Sequence, residues 1–188
     1  MVSKLVKIVI FMTLLLGFST TTTYALKHNY DSALLADMYR NPKNYIALGG
    51  AGTGLSLYMD KNSINVHEYN PPYYIIAFKK VSFYVHPSSE NNGQWVEDAE
   101  SSIERYYYDF DNKKMYWEHK YLYPVEKTEW EYIDPQESDS TSGSRAMFAA
   151  GEIAFCLAYN MNFYGNPKSY FMQEYFKRGD WVNFGTKN

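Results

Sequence analysis

Between Ser101 and Phe110 the side chains alternate in the two-residue period of a pleated strand. Ile103, Arg105, Tyr107 and Asp109 fall on one side, and Glu104, Tyr106, Tyr108 and Phe110 on the other. A second run, Met115 to Tyr123, follows the polar stretch Asp111-Asn112-Lys113-Lys114, so the pair predicts a hairpin. Tyr106, Tyr108 and Phe110 form an aromatic row suited to a core, with Glu104 at its rim. Arg105 and Tyr107 then lie on the wetter side. Upstream, Tyr45 to Leu48 and Leu55 to Met59 are short apolar runs joined by a glycine-rich loop. Asp60-Lys61-Asn62-Ser63 predicts a turn leading to Ile64 and Val66. After Pro71-Pro72, Tyr73 to Val85 is the longest predicted strand, with Lys79 and Lys80 at its middle marking a bulge or an exposed edge. Trp130 to Ile133 adds one more strand.

Two segments have the helical period instead. Ser32 to Arg40, capped by Asp31 or Ser32 and stopped by Asn41-Pro42, predicts a short helix with Leu34, Leu35 and Met38 on its apolar side. From Arg145 to Asn160, with Ser144 as cap, Met147, Phe148, Ala154, Phe155, Leu157 and Tyr159 cover most of the helix circumference. Such a helix packs deeply. A last short helix is expected around Tyr170 to Lys177, ended by Gly179. The fold class is α+β: a single meandering antiparallel sheet covered by a C-terminal helix, with a short N-terminal helix.

The first residues follow a different pattern. Lys4 and Lys7 precede the apolar run from Ile8 to Leu16, and Thr23 and Ala25 are small residues at a cleavage position. This is the order of a secretory signal, so residues 1–25 are expected to be removed and residues 26–188 to form one domain. The expected location is extracytoplasmic: periplasmic, secreted or on the cell surface. No later stretch is apolar enough to span a membrane.

Composition narrows the partners. The net charge is −3, and no cluster of Lys and Arg offers a phosphate-binding surface, so a nucleic-acid partner is not expected. Tyrosine accounts for 20 of the 188 residues, a side chain that suits half-buried, half-wet surfaces. Cys156 is the only cysteine and lies in an apolar helical stretch, which reads as a small buried residue.

Catalytic patterns are not found. The glycines at 49, 50, 52 and 54 lack dinucleotide-fingerprint spacing and a following helix. Asp109-Phe110-Asp111 begins like a calcium loop, but Lys113, Lys114 and Lys120 stand where ligands and a glycine are needed. His28, His67, His86 and His119 have no metal-ligand spacing. Glu97, Asp98 and Glu100 read as a solvated acidic segment. No cofactor is expected, and the chain is expected not to be an enzyme. The tyrosine-rich hairpin is the remaining candidate, with Arg105, Tyr107 and Trp117 as residues for a protein or glycan ligand.

Two stretches carry a family resemblance. Tyr58-Met59-Asp60-Lys61-Asn62-Ser63-Ile64 resembles the "tyrosine, any, aspartate, two residues, serine-isoleucine" element of small exported proteins of the surface-adhesin E type. Tyr107-Tyr108-Asp109 through Lys114-Met115-Tyr116, followed by Trp130-Glu131-Tyr132-Ile133-Asp134-Pro135, is similar to that family's later strand pair and tryptophan-to-proline segment. The resemblance implies an α+β domain exported to a bacterial cell surface, in some members attached to host matrix proteins. It assigns no binding residue. The expected function is an exported non-catalytic binding or adhesion-like module of the cell envelope. Its rivals are an envelope structural or assembly protein and an enzyme with a site assembled from scattered residues.

Overall fold

The computed structural model describes residues 30–50, 54–88, 92–121, 127–136, 142–170 and 172–174. The expected signal segment and its cleavage point lie outside them, as does Gly179. Six strands form one sheet in chain order: β1 (Tyr45–Gly50), β2 (Leu55–Asn70), β3 (Tyr73–Pro87), β4 (Trp95–Asp109), β5 (Lys114–Tyr121) and β6 (Lys127–Tyr132). Every neighbouring pair is antiparallel, as the expected meander requires. Helix α1 is Ser32–Arg40 and helix α2 is Ser142–Tyr159. The α+β class is therefore observed.

The two helices lie on opposite faces. Residues with even numbers on β3 and β4 face α2: Tyr74, Ile76, Phe78, Tyr106 and Tyr108 share the main core with Ile153, Ala154 and Phe155. The opposite face carries Val81 and Ala99, which pack with Leu34 and Met38 of α1 and with Tyr45. Asp31 makes the crossing between faces. Its amide donates to the Ala99 carbonyl at 2.7 Å, on a stretch of β4 beyond its ladder with β5, and its carboxylate caps α1 through Ala33 and Leu34.

The hairpin alternation holds. Tyr106 and Tyr108 are buried and Phe110 packs on the same core, while Arg105 and Tyr107 lie on the other face. Glu104 is more enclosed than a rim position implies, at 9% exposure. Cys156 is buried on α2, where desolvation and then Glu152 push its thiol pKa up.

Several boundaries differ from expectation. The turn expected at Asp60 to Ser63 is a bulge inside one 16-residue strand, since Asp60 pairs with Lys79 and Asn65 with Ala77. The turn chemistry is still present: the Asn62 amide donates to Asp60 Oδ1 at 3.0 Å, and Ser63 Oγ donates to the Asp60 carbonyl at 2.6 Å. β3 is thus an interior strand, and the bulge opposite Lys79 belongs to β2. The acidic segment at Glu97 to Glu100 is the first half of β4, held by Tyr39 to Glu97, His86 to Asp98 at 2.8 Å and Tyr84 to Glu100 at 2.5 Å. Helix α2 begins at Ser142, so Ser144 sits in its first turn instead of capping it.

Buried Glu152 explains how the chain folds back after α2. Its carboxylate accepts the Lys168 amide at 2.8 Å and the Ser169 amide at 2.6 Å. Burial raises its pKa, against the lowering effect of those donors. The helical residues at Tyr170 and 172–174 follow directly, with Met172 in the main core.

Candidate functional site

The sheet places the sequence-derived candidates on two different surfaces. Arg105 and Tyr107 share the face that α1 partly covers. Trp117 pairs in register with Tyr106, so it lies on the α2 face. The three residues do not form one site.

On the first surface, register does the assembly. Tyr107 pairs with Tyr116, and Tyr116 with Tyr132, so side chains distant in sequence fall into one row. Tyr73 stacks on Tyr107 with ring centroids 6.0 Å apart, and Tyr107 meets Tyr116 at 5.5 Å and Trp130 at 5.9 Å. Tyr116 meets Tyr132 at 5.6 Å. Tyr73, Trp130 and Tyr132 are each 40% to 45% exposed, and no described element packs over them. Burial by its neighbours raises the Tyr107 phenol, with Tyr73 and Asp109 adding to the shift. Beside the row, Arg105 Nη1 donates to Glu118 Oε1 at 2.9 Å, which holds its guanidinium against the sheet.

On the second surface, a cavity of about 300 Å³ opens between the sheet and the first turns of α2. Leu48, Leu57, Phe78 and Tyr106 form its floor, and Ala146, Met147 and Ala150 its roof. Glu104 stands at its polar end. Its Oε1 receives Lys80 Nζ at 2.5 Å and Ser102 Oγ at 3.0 Å, and its Oε2 receives Trp117 Nε1 at 2.6 Å. Lys80 and Glu104 were not among the sequence candidates. The signal was a charge interrupting an otherwise apolar face: Lys80 follows Tyr74, Ile76 and Phe78, and Glu104 heads the row Tyr106, Tyr108. Charged groups on a covered face are retained only with partners.

The described histidines are held by separate partners. His86 Nε2 pairs with Asp98, and its Nδ1 lies 3.3 Å from the Pro87 carbonyl; Tyr30 stacks on the ring. His119 lies edge-on to Trp117 beside Glu131. Among the described residues, no group of three or more His, Cys, Asp or Glu side chains is gathered for a metal ion. No described helix is long and apolar enough to cross a membrane. No protein-family model, curated protein or solved structure matches the chain.

Proposed function

We propose that the chain is an exported, non-catalytic binding module that takes a protein ligand on the aromatic face of β3 to β6. The observation that carries this reading is the row Tyr73, Tyr107, Tyr116, Tyr132 and Trp130, half-exposed beside the paired Arg105. Tyr, Trp and Arg are the usual anchors of protein interfaces, because they bring large contact area with a polar tip. These rings already pack on one another, so little side-chain freedom is lost on binding. The basic and apolar order from Lys4 to Ala25 supports export. The resemblance to surface-adhesin E proteins agrees with a matrix-protein ligand.

The test passes the purified chain over immobilised extracellular-matrix proteins, with a glycan panel as a second arm. Saturable retention on a matrix protein is expected. The double variant Tyr107→Ala/Trp130→Ala should weaken it by about tenfold or more while its melting temperature moves little. Retention that is absent, unchanged in the variant or confined to glycans would overturn the reading.

A further inference from the structure

We infer that the cavity under α2 is a binding site for a neutral, mainly apolar small molecule, independent of the aromatic face. Its volume of about 300 Å³ is at the lower end of ligand pockets and about twice that of a cavity that holds benzene. That space accepts about a dozen non-hydrogen atoms. Small side chains on α2 leave it open: Ala146 and Ala150 form the roof with Met147, over a floor of Leu48, Leu57 and Phe78. Walls of this kind offer water few partners and gain contacts from an apolar occupant.

The polar end sets the charge of the occupant. Lys80 and Glu104 form an ion pair at 2.5 Å, and Ser102 Oγ and Trp117 Nε1 also donate to the Glu104 carboxylate. These two are the only charged side chains in the lining, and they cancel each other. An anion would face Glu104 and a cation would face Lys80, and either would bring a buried charge without a counter-ion of its own. A neutral ligand meets neither cost. An ionised carboxylate offers about four lone-pair positions. Lys80, Ser102 and Trp117 each take one, so a position is left for a ligand hydroxyl. The Lys80 side chain is 29% exposed, which makes this the wetter end of the cavity and the place for that hydroxyl. The occupant is an uncharged molecule with an apolar body and at most one hydroxyl group.

Phenylbutanol, phenylbutyrate and phenylbutylammonium share one apolar body and differ in charge, so together they test both the site and its selectivity. Calorimetric titration of the full chain should show saturable one-to-one binding of the alcohol. Each ion should bind more weakly by about tenfold or more, the cost of burying an uncompensated charge. Ala146→Leu, checked for native circular dichroism, places extra carbons in the empty space and should abolish binding of the alcohol. If that variant does not fold, methyl and aromatic NMR on the native chain replaces it. The Leu48, Leu57 and Met147 methyl signals should then shift with the alcohol, while the Tyr107 and Tyr132 ring signals stay in place. Alcohol that fails to saturate, that binds Ala146→Leu as well as the native chain, or that shifts the tyrosine rings instead of the cavity methyls would overturn the site. Either ion binding as tightly as the alcohol would overturn the assignment of a neutral ligand.

Discussion

Ser63 serves a backbone amide that the sheet ladder leaves behind. The bulge in β2 pushes residues 61–64 out of register, and the Lys79 amide then donates to Ser63 Oγ at 2.7 Å in place of a carbonyl. The same hydroxyl donates to the Asp60 carbonyl, so one side chain joins the bulge to β3. The Asp and Ser of the stretch from Tyr58 to Ile64 therefore have a structural use: they build a bulge. Ser63→Ala should leave the Lys79 amide without its acceptor and cost about 1–3 kcal/mol in denaturant unfolding. Ser63→Thr retains the hydroxyl and should recover most of that loss. An Ala variant as stable as the native chain would show that the hydroxyl is dispensable.

At Gly151, α2 lies tight against the sheet. A β-carbon there would lie 2.1 Å from Met115 Sδ and 3.0 Å from a Tyr106 ring carbon. Both neighbours are buried, and Tyr106 is fixed by its hydroxyl donating to the Met147 carbonyl at 3.0 Å. Gly151→Ala sets a helix-propensity gain of about 1 kcal/mol against overpacking that costs about 1–3 kcal/mol. Packing should win, with a net loss seen in thermal unfolding; a gain in stability would mean that Met115 moves aside freely. At this scale the sequence was most informative where one period runs unbroken. The aromatic alternation of β4 identified the buried face, and the dense apolar cover of α2 identified a deeply packed helix. The first half of β4 is not legible in the sequence, because Glu97, Asp98 and Glu100 read as a solvated acidic segment and their partners Tyr39, His86 and Tyr84 come from other elements. Trp117 was assigned beside Tyr107 because the β4–β5 register, set by the turn at residues 110–113, decides its face. The cavity was illegible for a related reason: Lys80, Glu104 and Trp117 lie on three strands, and only pairing brings them together.

Over the whole molecule, the core is held by aromatic packing and buried hydroxyls. Tyr106 and Tyr108 lie fully enclosed between sheet and helix, and Tyr108 donates to the Gly151 carbonyl at 2.8 Å. Burial raises both phenols well above their ordinary value of 10.0, with Glu104 adding for Tyr106 and Tyr106 itself adding for Tyr108. The sign follows from proton binding. Above pH 10 the unfolded chain releases these protons while the native chain keeps them. Their contribution is therefore fully present below pH 10 and is lost as pH rises through the folded-state values. Two such groups remove about 3 kcal/mol for each pH unit above 10, a large share of the stability of an ordinary domain. Tyr39 and Tyr84, raised to about 12 by burial and by Glu97 and Glu100, titrate at more moderate pH. Phenolate absorbance should thus rise in two stages, the second coinciding with loss of far-ultraviolet circular dichroism. Tyr108→Phe should be less stable by about 1 kcal/mol at neutral pH, from the lost hydrogen bond. It should also fall less steeply with pH, since one of the linked protons is gone. A Tyr108→Phe chain with the native slope, or phenolate absorbance that completes before the fold is lost, would show that these hydroxyls are not the groups that tie the fold to alkaline pH.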